Sequence, residues 1–184
     1  AWSEIPAPTS DELGETALAL MHLKEREFHY AGYDLIAWNN KDCDSKFLSK
    51  FGAKLLTTSP WWDTVDGLVT AMVSPLMHRF HDDALMDLWS ESGDRWLIRA
   101  AIGHQRGWKE DTNVSRVLEL CNRHWNEREF FIAKAIGWAM RDIARLQPLA
   151  VQEFLETHDT SNTVAIREAN RTLKTAKCVA PEVR

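Results

Sequence analysis

Apolar residues recur along this chain at helical spacing, and the pattern returns every 34 residues. Trp96-Leu97-Ile98-Arg99-Ala100-Ala101-Ile102-Gly103-His104 lines up at that offset with Phe130-Phe131-Ile132-Ala133-Lys134-Ala135-Ile136-Gly137-Trp138, and Ile, Ala, Ile and Gly coincide. Carried forward, the register meets Ile166 and Ala169; carried back, it meets Trp62 and then Phe28. One slot therefore holds Phe28, Trp62, Trp96 and Phe130, with Val164 in the last copy, and five copies fill the chain.

Each copy predicts two helices. The second helices begin near Phe28, Trp62, Trp96, Phe130 and Thr163, with apolar residues spaced as in Ile132, Ala135, Ile136 and Ala139. The first helices include Asp44 to Leu56, Pro75 to Trp89, Asn113 to Trp125 and Pro148 to Glu156. Pro75 and Pro148 suit the first turn of a helix, where a missing N–H costs little. A lone helix pair cannot bury its apolar face, so neighbouring copies must stack. The period also fits tetratricopeptide repeats, whose Trp, Leu-Gly and Tyr signature is missing. The expected fold is an all-α, HEAT-like α-solenoid, a curved superhelix of about five helix pairs forming a single domain over 1–184. Ile98, Ala101, Ile132, Ala135 and Ala169 should be buried at equivalent places.

Composition agrees with a globular chain: 184 residues, 45% hydrophobic and 27% charged. Eight Gly and six Pro are too few for a turn-rich β sandwich. No apolar run approaches the ~18 residues of a membrane span, and no signal peptide is evident. Cys43, Cys121 and Cys178 lack CxxC spacing and read as buried or incidental thiols of a reducing cytosol. His78 and His81 lie three apart, but no further clustered ligand completes a site, so neither a metal nor a cofactor is expected.

Charge complicates the choice of partner. The net charge is −5, whereas a nucleic-acid binder usually carries a basic excess. The acidic share lies in Ala1 to Asp66, while Arg167, Arg171, Lys174, Lys177 and Arg184 face only Glu168 and Glu182 in the last stretch. DNA binding would need a local basic surface.

The register brings candidate chemistry together. Counting the slot of Trp62 as zero, Asp66 and Lys134 occupy slot four, Arg99 slot three and Trp138 slot eight. Slots zero, four and eight share one helix stripe. If second helices line an inner face, Trp62, Asp66, Arg99, Lys134 and Trp138 look into one groove. A carboxylate beside indoles stabilises cations, and a rim of Arg and Lys holds phosphates. That combination suits a nucleotide whose sugar becomes positive as its base leaves. Each residue has a plainer reading: Trp62 as core, Asp66 as a structural ion pair, Arg99 and Lys134 as solvated charges.

Trp61-Trp62-Asp63-Thr64-Val65-Asp66 and the stretch Glu129 to Trp138 resemble the DNA alkylation repair family of AlkD-like glycosylases, as do Trp96 to Ile102 with His104-Gln105, and Ile166 to Ala169. The similarity runs from about Leu13 to Leu173. It implies a HEAT-repeat fold and a monofunctional glycosylase releasing cationic N3- and N7-alkylated purines from double-stranded DNA, working as a cytoplasmic monomer. On the same resemblance, Trp62, Asp66 and Trp138 form the catalytic cleft and Arg99 holds DNA phosphate, with Lys134 and Arg167 as further backbone contacts. The family's paired arginines are Ile98-Arg99 and Ile166-Arg167 here, and a customary Lys is Gly107; these departures bear on DNA affinity rather than catalysis. A helix pair carried by the family at its N-terminus is expected to be lacking. Two other classes fit the repeats: a non-catalytic HEAT-repeat protein that binds DNA structures, and a protein-interaction scaffold.

Overall fold

The computed structural model of the chain describes residues 7–177, and every regular element among them is helical. Cys178, Glu182 and Arg184 lie outside the described residues, as does the Lys177 side chain. No helix among the described residues is long and apolar enough to cross a membrane.

The chain divides after Ala100 into two compact units. The first contains α1 (Ser10–Met21), α2 (Arg26–Trp38), α3 (Ala53–Thr57), α4 (Trp62–Leu68), α5 (Ser74–Phe80) and α6 (Asp83–Ser90). Helix α7 (Arg95–Ile102) runs across the division. The second unit continues with α8 (Val114–Arg123), α9 (Phe130–Ile143), α10 (Pro148–Thr157) and α11 (Thr163–Lys177). The second helix of each predicted copy thus starts within two residues of its expected position, at Arg26, Trp62, Arg95, Phe130 and Thr163. Ile98, Ala101, Ile132, Ala135 and Ala169 are all buried.

The 34-residue period is visible in the bonding. In the first unit, Asp44 N–H donates to Ser10 Oγ at 3.2 Å and the Tyr30 hydroxyl to Asp63 at 3.0 Å. In the second, the Trp125 indole donates to Asp159 O at 3.3 Å and Lys134 to Glu168 at 2.7 Å. Each joins residues one repeat apart, as expected where every copy touches mainly its neighbours.

Helix α1 has a signal that the apolar register does not use. Thr9 and Glu12 form a reciprocal capping box, satisfying two backbone N–H groups at its start. Another expectation needs correction. Pro75 does not open a helix reaching Trp89; α4 passes through a π-helical turn, Val69–Val73, directly into α5, and Pro75 sits just beyond that turn. Proline cannot donate to the carbonyl four residues back and crowds it. The wider turn provides room, and Asn40 Nδ2 donates to that carbonyl, Ala71 O, at 3.1 Å. The break comes instead at His81, in the left-handed region at φ 52°, after which the Asp82 side chain caps α6.

Candidate functional site

In the first unit, the site is built around the start of α4. Trp61 is extended, with φ −144° and ψ 157°, and the helix begins at Trp62. Asp63, in the first turn, accepts from Arg26 and from Tyr30, both on α2, and from the Thr64 N–H at 2.7 Å. A carboxylate at a helix N-terminus is also favoured by the helix dipole. Burial pushes the Asp63 carboxyl up, but the Arg26 and Tyr30 hydrogen bonds outweigh it and hold the group below its ordinary value. These bonds tie α4 to α2 while leaving Trp61 and Trp62 45% and 42% exposed. The Trp62 ring is therefore accessible to a ligand, unlike Trp96 at the same slot, which is buried.

A depressed carboxyl contributes stability above its ordinary pKa and loses it as pH falls through the depressed one. Asp63→Asn should therefore lower the Tm by a few degrees at neutral pH. The difference from wild type should shrink below about pH 4. Parallel thermal melts across pH check this; a constant difference down to pH 2 would exclude the charged form of Asp63 as its source.

One turn further along α4, Asp66 meets Arg99 of α7. Arg99 Nε donates to Oδ1 at 2.9 Å and Nη2 to Oδ2 at 2.8 Å, a bidentate pair. The Arg99 side chain is 3% exposed and that of Asp66 16%. A guanidinium this enclosed, with its fork on a carboxylate, holds the orientation of Asp66. Both oxygens of Asp66 are fixed while part of the group stays accessible on the stripe that carries Trp62.

The other expected residues belong to the second unit. Lys134 of α9 donates to Glu168 of α11, a carboxylate with no exposed surface. Burial alone would raise the Glu168 carboxyl, but Lys134, followed by Arg171 and Arg141, holds it below its ordinary value. Gly137 makes this approach possible: a Cβ there would lie 2.6 Å from Glu168 Cβ and 3.0 Å from Ala165 Cα. Trp138, partly exposed, lies on the same helix with Arg106, Lys134 and Arg141 around its ring at 5.1, 5.7 and 5.8 Å. Arg167 is exposed on α11.

The structure thus brings Trp62, Asp66 and Arg99 together in the first unit, and Lys134 and Trp138 together in the second. Sequence reasoning missed Arg26, Tyr30 and Asp63, and also Arg106, Arg141 and Glu168. For Glu168 a signal existed: it falls at slot four, one copy after Lys134, and opposite charges at one slot of adjacent copies are placed to pair. Among the described residues no group of three or more His, Cys, Asp or Glu could hold a metal ion.

Residues 1–173 match the model of a family described as DNA alkylation repair enzyme. Among solved structures, the chain is similar to a predicted DNA alkylation repair enzyme from Enterococcus faecalis. The TM-score is 0.79 and the identity 26%, over 88% of this chain and 75% of that one. Comparison with curated proteins returned no match.

Proposed function

The chain belongs to the DNA alkylation repair enzyme family, and on that premise we propose that it is a monofunctional DNA glycosylase releasing cationic N3- and N7-alkylated purines. Its role in the repair of alkylated DNA follows from the family; the hydrolytic reaction, the adducts and the residue roles are the proposal. The observation that carries it is the Asp66 carboxylate, fixed bidentately by the buried Arg99 on the stripe of the exposed Trp62.

Alkylation at N3 or N7 makes the purine a positively charged leaving group, so departure needs no strong acid. The demand is stabilisation of an oxocarbenium-like sugar and delivery of water. A preoriented carboxylate supplies the first by electrostatics that cost no reorganisation as charge develops. It also accepts the proton of the attacking water late in the reaction. Trp62 contributes its π face to the deoxyribose, and Trp138 is retained as a proposed catalytic indole. Lys134, tied to Glu168 at 2.7 Å, supplies charge rather than a nucleophilic amine. Lys134 and Arg167 are assigned to the DNA backbone and Arg99 to Asp66. The enzyme is proposed to act on double-stranded DNA as a cytoplasmic monomer.

The test is release of free purine from methylated duplex DNA. 7-Methylguanine and 3-methyladenine should appear, while uracil and hypoxanthine should remain in the DNA, because they leave as neutral bases and the proposed mechanism relies on charge that the adduct already carries. Efficient uracil excision at neutral pH would overturn the mechanism. Salt-dependent DNA binding without base release would favour the non-catalytic DNA-binding reading.

A further inference from the structure

The second helices of the later copies share a capping device. The residue just before α7, α9 and α11 accepts from the N–H three positions on: Asp94 from Leu97 at 3.1 Å, Glu129 from Ile132 at 2.9 Å and Asn162 from Ala165 at 3.1 Å. Such a cap satisfies a backbone donor that the helix itself cannot. Before α4 stands Trp61, whose indole has no acceptor to offer. The matching donor, the Thr64 N–H, is taken instead by the Asp63 side chain at 2.7 Å. The acceptor has moved from the cap into the helix, and the cap position is given to an indole.

Asp63 is held in turn from α2. The Tyr30 hydroxyl donates to it at 3.0 Å and accepts from Arg26 Nε and Nη2, both at 3.3 Å, while Arg26 also reaches the carboxylate directly. The arrangement is particular to this junction: at the 34-residue offset Asp63 is matched by His29, Leu97, Phe131 and Ala165, none of them a carboxylate. Close approach of α2 continues one turn on, where a Cβ on Gly67 would lie 2.6 Å from Tyr33 Cε1. The entry to α4 is equally constrained. Ser59 is in the left-handed region at φ 48°, Pro60 has a fixed φ and Trp61 is extended. The copy anchored in this way is the one whose slot-zero indole, Trp62, is exposed, whereas Trp96 of the next copy is buried. A buried indole is oriented by its packing; an exposed one relies more on the backbone that carries it.

We propose that Arg26 and Tyr30 are positioning residues for Trp62, acting through Asp63 to hold the first turn of α4 and so the indole assigned to the deoxyribose. This deepens the proposed function and rests on its reading of Trp62. Arg26 and Tyr30 act through the helix start rather than on the substrate. Their bonds take the place of a cap while leaving the face of the Trp62 ring clear.

The experiment labels the full chain with 5-fluorotryptophan, and Trp62→Phe and Trp96→Phe identify two fluorine resonances by their loss. Tyr30→Phe removes one hydroxyl and keeps the ring. It should move or broaden the Trp62 resonance and leave that of Trp96 in place. It should also slow single-turnover release of 7-methylguanine about tenfold, short of the roughly 10²-fold that a misplacement of about 1 Å can cost, with DNA affinity near that of wild type. Arg26→Gln should do the same, and Arg26→Lys, which keeps the charge and a donor, should recover part of the rate. A double-variant cycle separates positioning from general weakening: on a Trp62→Ala background, Tyr30→Phe should slow release no further. A lowered Tm with the Trp62 resonance unmoved, or equal slowing on both backgrounds, would overturn the proposal and leave the network purely structural. An unchanged rate of release in Tyr30→Phe would overturn it as well. Should Arg26→Gln fail to fold, Tyr30→Phe still decides. Wild type that releases no purine would sink the glycosylase reading, and the Trp62 resonance would then decide by itself whether Tyr30 holds the indole.

Discussion

Asp66→Asn should slow single-turnover release of 7-methylguanine by about 10²-fold or more, the loss expected when a preorganised electrostatic partner is removed from a developing charge. Asparagine keeps the size of the side chain and one acceptor oxygen but removes the charge that faces the sugar cation. Affinity for DNA should be kept or rise slightly, because a negative charge near phosphates has gone. Stability should not be untouched, as it would be for a solvated surface Asp: Arg99 is 3% exposed, and Asp66→Asn leaves that guanidinium facing an amide. The rate comparison therefore belongs at saturating protein and well below the variant's Tm. Equal rates for wild type and Asp66→Asn would remove Asp66 from the reaction and return the pair to a purely structural role.

The second large effect is on the other half of the pair. Arg99→Ala leaves a carboxylate 16% exposed without its two donors, and breaking a buried pair from one side costs about 3 kcal/mol or more. In a chain of this size that corresponds to about 6–12 °C in Tm. Purine release should fall as well, since Asp66 loses its orientation, while the salt dependence of DNA binding should stay near that of wild type. A salt slope flattened by about one unit would instead restore Arg99 to a phosphate. The double variant Asp66→Asn with Arg99→Gln separates stability from chemistry. With both charges gone it should recover part of the lost stability, yet release should remain as slow as in Asp66→Asn.

The helices were legible because their signals are local and periodic. The 34-residue register located the starts of the second helices, and the burial of Ile98, Ile132 and Ala169 follows from the same repetition. The single helix expected from Pro75 to Trp89 was misdrawn for a physical reason. Pro75 does stand in the first turn of α5, but nothing nearby indicates that α4 runs on into that turn, that the helix ends at Phe80, or that Asn40, more than thirty residues earlier, donates to the carbonyl four residues before the proline. Trp62, Asp66 and Trp138 were singled out by slot and by family resemblance, but a slot identifies a stripe and not an ion-pair partner. Whether Arg99 faces solvent or a carboxylate depends on packing between adjacent copies. The pairing of Asp66 with Arg99, one repeat on, and of Lys134 with Glu168 follows one rule that becomes obvious only when charges at neighbouring slots are compared between copies. Arg106 lay beyond that rule, because it sits in the turn after α7 rather than at a repeated helical position.

The hydrogen bond from Asn40 to Ala71 has a consequence for cooperativity. The helix that carries Asp66 is interrupted by Pro75 and cannot satisfy its own backbone; it borrows a donor from the loop of the preceding copy. Arg79 strengthens the loan by donating to the carbonyls of Asn40, at 3.2 Å, and of Cys43. Local opening of that loop therefore exposes a carbonyl in the middle of the α4–α5 path, so the two should open as one unit rather than fray independently. Repeat proteins can lose terminal copies piecemeal. Here the proposed catalytic carboxylate is coupled to the copy before it by a backbone requirement, which makes the integrity of α2 and its following loop a condition for order at the candidate site.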